Sequence, residues 1–248
     1  MDNISVYIRS KNKLEVDEVI DITLKRVKLM RNNNKWLFRQ IKPYLGNNIL
    51  EIGSGIGNIS EFLATLNENL ILTDIDENRM VYLRNKFANN SRIKIILHDI
   101  SMPGASEAVG SKVDTVICRH VLEHIRNDDA ALENMYKILD KGGRLILVVP
   151  ALGVIYGSLD KQLGHFRRYK LQELSKKLKS KNFIVERIYY LDFIAAFGWF
   201  FNACIFRLRI IPIFQSRFFD KLVPFIAKIE SKVRIPFGAE LVAVCNKR

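Results

Sequence analysis

The sequence predicts an α/β fold in which a mostly parallel sheet carries helices on both of its faces. Between residues 48 and 150, short apolar runs alternate with segments of helical periodicity, a pattern typical of strands joined by crossover helices. In residues 49–60, the apolar run ILEI passes directly into three glycines at alternate positions and then into a helix-compatible segment. A strand, a glycine turn and a helix start together predict a site for a nucleotide-like ligand.

The elements follow one another along the chain. Residues 1–45 have helical spacing and are predicted to form a cap over the ligand site, with a turn between two helices at residues 31–35. The predicted strands are 48–52, 69–73, 93–97, 113–118 and 143–149, and the predicted helices are 57–66, 77–88 and 126–139. Helix 170–180, strand 183–190 and a reversed strand at 241–245 would complete a seven-stranded, Rossmann-like sheet.

This pattern predicts three parts. They are an N-terminal helical cap at 1–45, a sheet domain at 46–191 with 238–248, and a helical insert at 192–237.

The charge of the chain is unevenly distributed. Of the net charge of +13, +11 lies in residues 151–248, which hold 18 Lys and Arg against 7 Asp and Glu. This basic part would attract a phosphate-bearing substrate, a membrane surface or a nucleic acid. The three cysteines have no disulfide or metal-type spacing, and the N-terminus has no apolar signal segment, so a reducing cytoplasm and no metal are expected.

The glycine stretch has the spacing E-x-G-x-G-x-G, starting at Glu51. The dinucleotide fingerprint is G-x-G-x-x-G instead, which disfavours a nicotinamide oxidoreductase. About 20 residues further on, the second strand ends at Asp74, where a carboxylate can accept hydrogen bonds from ribose hydroxyls. Asp76 is better explained as the N-cap of the helix that begins at Glu77.

These motifs resemble the class I S-adenosylmethionine-dependent methyltransferases, and residues 113–125, VDTVICRHVLEHI, are similar to those of the group that includes quinone-biosynthesis enzymes. The resemblance implies transfer of a methyl group from S-adenosylmethionine to a small-molecule, glycan or lipid-linked acceptor. The nucleophile can be oxygen, nitrogen or carbon, and oxygen is the favoured one. It also implies that a set of strand-end and loop residues binds the cofactor: Glu51, Gly53, Ser54, Gly55, Gly57, Asn58, Asp74, Ile75, Asp99, Ile100 and Arg119.

Two strand ends keep alternative interpretations. The resemblance assigns Asp99 to the adenine amino group and Ile100 to the face of the base, whereas an Asp in a loop can simply cap a turn. Glu123 and His124 either contribute to function or only open a helix, where an acidic residue is favoured by the dipole.

The loop after the fifth strand contains the run G-H-F-R-R-Y, which looks like one in methyltransferases thought to act on glycans or their lipid carriers. His165 is the first candidate for a general base and His120 the second, although either could be a structural loop histidine. The candidate substrate-binding residues are Tyr156, Arg167, Arg168 and Tyr169. For the two arginines, an anion clamp and a solvated helix start are the alternatives.

The insert is rich in Phe, Ile and Leu interleaved with Arg and Lys. Its apolar run at residues 193–206 is too short to span a membrane, which takes about 20 residues. The composition favours either an interfacial element, docked peripherally on the anionic inner face of the membrane, or a plain helical lid. Two other functions stay open: a nucleic-acid methyltransferase, although no N/D-P-P-Y/F strand end is found, and a non-catalytic protein that binds the cofactor.

Overall fold

The computed structural model describes residues 15–66, 69–233 and 235–248, so the prediction for residues 1–14 lies outside the described residues. The strands of the described chain are β1 (Asn48–Ile52), β2 (Asn69–Asp74), β3 (Ile93–Leu97), β4 (Val113–Arg119), β5 (Leu139–Pro150), β6 (Phe183–Leu191) and β7 (Glu240–Lys247). These strands form one seven-stranded sheet in the order β3-β2-β1-β4-β5-β7-β6. Only β7 runs antiparallel to its neighbours, which confirms the predicted fold class and the reversed last strand.

The helices lie on both faces of this sheet. They are α1 (Val16–Leu29), α2 (Arg31–Ile41), α3 (Ser60–Leu63), α4 (Glu77–Lys86), α5 (Ala105–Ala108), α6 (Asp128–Ile138), α7 (Ser158–Gln162), α8 (Leu171–Ser180), α9 (Phe193–Trp199) and α10 (Ile213–Glu230). A π-helical turn at Phe200–Ile205 continues α9.

Alternate residues of the central strands supply two separate cores. Leu145 and Leu147 of β5 belong to the core on one face of the sheet, while Ile146 and Val148 belong to the core on the other. Successive side chains of a strand point to opposite faces, so a strand that is apolar at every position is buried on both sides. This is why the central strands read as continuous apolar runs.

The strand boundaries agree with the sequence except at β5. This strand begins at Leu139, because Leu139 already pairs with Val113 before the register shifts at the Gly142 turn. Gly142 adopts φ +76°, and the residues around it form a bulge within the strand.

The N-terminal turn was placed too late by the sequence pattern. The helix break is at Met30, and α2 already begins at Arg31, so residues 31–35 are helical. Polar contacts explain the difference, because Asn34 donates to the Val27 carbonyl at 2.8 Å and the backbone N–H of Asn33 donates to Asp220 at 2.9 Å. These tertiary contacts outweigh the low helix propensity of asparagine.

The insert is helical, as expected, and it packs on the N-terminal cap. Asn32 and Asn33 of α2 both donate to the buried carboxylate of Asp220 in α10, and Arg26 of α1 donates to the carbonyl of Ile211. Helices α1, α2 and α10 therefore form one helical layer. No helix in the described part of the chain is long and apolar enough to cross a membrane.

Candidate functional site

The glycine turn after β1 has the backbone geometry that its sequence predicts. Gly53, Gly55 and Gly57 take φ values of +71°, +55° and +77°, which non-glycine residues rarely adopt. A Cβ on Gly53 would stand 2.2 Å from Val121 Cγ2, so a side chain does not fit there. The backbone N–H of Gly55 donates to Asp74 at 2.8 Å, which ties the turn to the end of β2.

Glu51 lies beneath this turn and is only 4% exposed. Burial raises the pKa of its carboxyl to about 7, although hydrogen bonds from Ser60 and Ser54 and the charge of Arg119 act in the opposite direction. No described Lys, Arg or His forms an ion pair with Glu51. A buried carboxylate without a cationic partner is well suited to the ammonium group of a ligand.

At the end of β2, the buried carboxylate of Asp74 is held by the loop and by α4. Arg79 Nη1 lies 3.4 Å from Asp74 Oδ1, while Nη2 of the same guanidinium lies 2.9 Å from Asp21 of α1. Asp76 caps α4 by accepting from the Arg79 N–H at 2.9 Å, as predicted. Ile75, between the two acids, is 69% exposed and is open to a ligand at this edge.

The end of β3 differs from the expectation for Ile100. Its side chain is 2% exposed and belongs to the core, so we correct its expected packing on the face of a base. Asp99 is exposed and accepts hydrogen bonds from Ser101 N at 2.8 Å and Ser101 Oγ at 2.6 Å. Asp99 thus caps a turn, and its carboxylate also remains reachable by a ligand.

A cavity of about 610 Å³ opens beside the glycine turn. Five predicted cofactor residues line it: Glu51, Gly53, Ser54, Asn58 and Arg119. The other predicted cofactor residues, Gly55, Gly57, Asp74, Ile75, Asp99 and Ile100, lie outside its lining, at or near the ends of β1, β2 and β3. The far wall is formed by α1, the loop after β5 and the insert. The cavity therefore extends from the glycine turn to connecting segments, which are the parts of a fold that differ most between related proteins.

His120 lies in the wall of this cavity as a cation. Its Nδ1 is 3.1 Å from Glu123 Oε1 and its Nε2 is 2.7 Å from Glu240 Oε1. Burial would lower the pKa of His120, but the charges and hydrogen bonds of the two glutamates outweigh burial and raise it to about 9. Both ring nitrogens are donors in this state, so the prediction of His120 as a general base is corrected.

His165 has the geometry that a general base requires. Its Nδ1 is 3.0 Å from Asp160 Oδ1, and the imidazole lines the cavity. Burial favours the neutral form of Asp160, but the hydrogen bond from His165 and the charge of Arg168 hold the pKa of that carboxyl below its ordinary value. A carboxylate at Nδ1 fixes the tautomer and leaves Nε2 as a proton acceptor.

Asp160 also connects His165 to the insert. The Trp199 Nε1–H of α9 donates to Asp160 Oδ2 at 3.0 Å, and the Arg168 guanidinium stacks over the Trp199 ring at 4.6 Å. Arg168 Nε donates to Asp160 Oδ1 at 2.7 Å. The predicted substrate residue Arg168 therefore lines the cavity while being paired with a carboxylate, which limits its charge toward a ligand.

The other residues predicted to bind substrate have different places. Arg167 pairs with Asp128 at 2.8 Å and lies outside the cavity lining, and the buried Tyr169 hydroxyl donates to the same aspartate at 2.9 Å. We therefore correct both to structural roles. Tyr156 donates to the His165 carbonyl at 2.7 Å and so positions the histidine.

Glu123 and His124 form a 3₁₀ turn after β4 and do not open an α-helix. The Glu123 side chain is fully buried, and its Oε2 has no hydrogen-bond partner among the described residues. The His124 ring lies edge-on to the His165 ring, with 4.7 Å between their centroids. Burial lowers the pKa of His124 to about 4, so this imidazole is neutral.

The sequence pattern did not connect Asp160, Trp199 or Glu240 with the histidines of the candidate site. The first lies five residues before His165, a spacing with no recognised meaning in a loop. Trp199 and Glu240 are 39 and 120 residues away from their partners Asp160 and His120. No local pattern in the sequence marks such pairs.

Known proteins resemble this chain in sequence and in fold. Residues 50–145 match the family described as methyltransferase domain. The chain is 27% identical over 111 residues to the ubiquinone/menaquinone biosynthesis C-methyltransferase of Hydrogenovibrio crunogenus, covering 44% of this chain and 43% of the relative. It is 25% identical over 143 residues to a probable S-adenosylmethionine-dependent methyltransferase of Mycolicibacterium smegmatis, covering 57% of this chain and 53% of the relative.

The chain thus spans about half the length of these curated relatives. The crystal structure of a putative methyltransferase from Bacillus halodurans shares the fold, with a TM-score of 0.58 at 18% identity over 85% of this chain and 96% of that chain. The glycine turn, the strand-end carboxylates and the family match agree with one another. Residues 50–145 therefore form a methyltransferase domain, and its cofactor is S-adenosylmethionine.

Proposed function

We propose that the protein transfers a methyl group from S-adenosylmethionine to a hydroxyl oxygen of an amphiphilic, lipid-linked acceptor at the cytoplasmic face of a membrane. One observation carries this proposal: a single cavity has the glycine turn on one side and exposed apolar side chains of the insert on the other. Phe197, Phe214, Phe218 and Leu222 line the cavity and are also exposed to solvent. An acceptor could therefore pass from an apolar surface to the cofactor loop.

The exposed side of the insert has the composition of a membrane-binding surface. Of the 21 exposed large apolar side chains in the described chain, 11 lie in residues 192–237, a concentration that exceeds what scattered surface residues give. Exposed Arg and Lys residues alternate with them, at Arg207, Arg209, Arg217, Lys221, Lys228 and Lys232. Each basic side chain near an anionic surface adds about 1 kcal/mol, and the phenylalanines add the hydrophobic contribution.

The residues of the cavity fit the expected chemistry. Bound S-adenosylmethionine supplies a methyl group on a sulfonium that is already activated for displacement. Glu51 is placed to hold the ammonium group, and Asp74 is placed to hold the ribose hydroxyls. We propose that His165 Nε2 takes the proton of the acceptor hydroxyl while the oxygen attacks the methyl carbon. The carbon–sulfur bond would break as the oxygen–carbon bond forms, with its electron pair going to sulfur and S-adenosylhomocysteine as the product.

Cofactor affinity is expected to rise with pH between about pH 5.5 and 7. The pKa of Glu51 in the free protein is about 7 because the carboxyl is buried. An ammonium group favours the ionised carboxylate, so binding releases a proton, and affinity is lost as pH falls through that pKa. Over this range an α-amino group keeps its proton. Calorimetric titrations with S-adenosylhomocysteine should show the rise in wild type, whereas Glu51→Gln should bind more weakly with a flat profile. An equally steep profile in Glu51→Gln would contradict this role.

Membrane docking is tested by flotation with vesicles at low ionic strength. We expect the protein to float with anionic phosphatidylglycerol vesicles and not with phosphatidylcholine vesicles, and to be released by high salt, which screens the charges. The double variant Phe218→Glu/Phe225→Glu should stay at the bottom of the gradient, since both side chains are exposed and can be replaced without opening the core.

The matched control is Ile184→Glu, another exposed apolar position, which lies at the start of β6 and outside the insert. This variant should float like the wild type. If wild-type protein remains soluble with anionic vesicles at low salt, the insert is a lid, and the acceptor is a soluble metabolite.

A further inference from the structure

Three side chains come together beside the cavity in a way that methyl transfer by His165 alone does not explain. Two of them line the cavity, and the third, Glu123, is fully buried. One potential ligand atom from each of Glu123, His124 and His165 lies within 4.8 Å of the other two. Two of these residues follow β4, while His165 comes from the loop after β5, 41 positions further on. We propose that this cluster binds one divalent transition-metal ion of the zinc type through His124, His165 and Glu123.

The donor atoms are available for this purpose. Glu123 is fully buried, yet its Oε2 has no hydrogen-bond partner among the described residues. A buried acceptor left unpaired is unfavourable, and a bound cation would satisfy it. The ring nitrogens of His124 have no hydrogen bond to any described residue, and the ring lines the cavity.

His165 is oriented as a metal ligand would be. Its Nδ1 is hydrogen-bonded to Asp160, which leaves Nε2 directed toward Glu123 Oε1 at 4.0 Å. Metal-binding histidines almost always donate their other ring N–H to a carboxylate or carbonyl, and this partner fixes the ring and raises its basicity. Asp160 is in turn held by Arg168 and Trp199, so the supporting contacts are also present.

The ligand set favours zinc over magnesium or calcium. Two imidazoles and one carboxylate suit zinc and its neighbours, whereas magnesium and calcium require oxygen ligands. In a tetrahedral zinc site, ligand atoms are ~3.3 Å apart when the bonds are ~2.0–2.1 Å long. Side-chain movements of about 1 Å would therefore close this site around the ion.

The fourth coordination position would face the cavity, because His124 and His165 both line it. Three protein ligands with one open position are the arrangement of catalytic rather than structural zinc sites. A hydroxyl of the acceptor bound there would have its pKa lowered by the charge of the ion. This role rests on the proposed function, and in it the metal ion, not the His165 imidazole, activates the acceptor hydroxyl. Metal binding itself does not depend on the proposed function.

The test uses tag-free full-length protein that has been stripped with EDTA. Calorimetry with zinc chloride, together with mass spectrometry of metals after dialysis, should show one zinc ion per chain. Glu123→Gln, His124→Asn and His165→Asn should each weaken binding by at least about a hundredfold, and Asp160→Asn by about 10- to 100-fold, as removal of a supporting partner does. Cys204→Ser, which changes the partly exposed thiol outside the cluster, should bind zinc normally.

Cobalt substitution provides a readout that requires no variant: Co²⁺ bound at this site should give the intense visible absorption of four-coordinate cobalt. Affinity for S-adenosylhomocysteine and the melting temperature show whether each variant is folded. Absence of saturable zinc binding, or equal binding by the three ligand variants, would overturn the proposal. If the protein does not bind zinc, the metal proposal fails and His165 remains the proposed general base. If the protein binds zinc but transfers no methyl group to any lipid acceptor, only the proposed function is refuted.

Discussion

Replacing Gly55 by valine is expected to weaken binding of S-adenosylmethionine by about a hundredfold or more, or ~3 kcal/mol. Gly55 has φ +55°, and a Cβ there would lie 3.0 Å from Leu24 of α1. A β-branched residue in the left-handed region costs about 1–3 kcal/mol of strain, and its methyl groups would also press on Leu24. The N–H that Gly55 donates to Asp74 would be displaced as well. Isothermal titration calorimetry with the cofactor and with S-adenosylhomocysteine measures the loss.

Gly142→Val is the control that distinguishes damage to the cofactor site from backbone strain in general. Gly142 has φ +76° and nothing within 4 Å of a Cβ, and it lies at the start of β5, away from the carboxyl edge of the sheet. This variant should lose stability and keep its affinity for the cofactor. Asp74→Ala should weaken cofactor binding without adding a side chain. Wild-type affinity in Gly55→Val, or equal binding of NAD, would contradict the assignment of the cofactor site.

Replacing His165 by alanine should lower methyl transfer by about 10²–10⁴-fold, the usual contribution of general acid–base catalysis. Affinity for S-adenosylhomocysteine should be nearly unchanged, since His165 lies in the wall formed by the loop after β5 and not in the glycine turn. The assay follows the radioactive methyl group of S-adenosylmethionine into a polar lipid extract, and the acceptor is identified by mass spectrometry. A lower rate at saturating acceptor would place the effect on the chemical step.

Arg167→Ala is the matched control two residues away. Arg167 contacts Asp128 and the Arg126 carbonyl, so its loss should lower the melting temperature and leave the rate of methyl transfer close to that of the wild type. If His165→Ala also retained the wild-type rate, His165 would be a structural residue of the loop. A parallel loss of cofactor affinity in His165→Ala would instead show that this loop forms part of the cofactor site.

Much of the cofactor side of the site could be predicted from the sequence, because its signals are local. The glycine turn, the position of Asp74 and the cap at Asp76 depend on residues that are near one another in the chain. Backbone conformation and capping are decided within a few residues. The alternation of strands and helices likewise follows from the periodicity of apolar residues, which reflects how each element is buried.

The acceptor side could not be predicted in this way. The sequence offered two histidines as bases, and the structure separates them by their partners: Glu123 and Glu240 make His120 a cation, while Asp160 leaves His165 with a free Nε2. Arg167 and Tyr169 stand in the same hexapeptide as His165 but point to the buried Asp128. Neighbours in a loop can face opposite ways, and only the packed structure determines which one faces the cavity.

The sequence by itself therefore determined the sheet, the cofactor turn and the presence of an apolar, basic insert, since each is written in a short stretch of chain. Only the tertiary structure decided which charges meet. Trp199 reaches Asp160 across 39 residues, and Glu240 reaches His120 across 120. The protonation state of a buried group depends on the partners that surround it in space. Those partners come together only when the insert, the loop after β5 and the last strand are packed against one another.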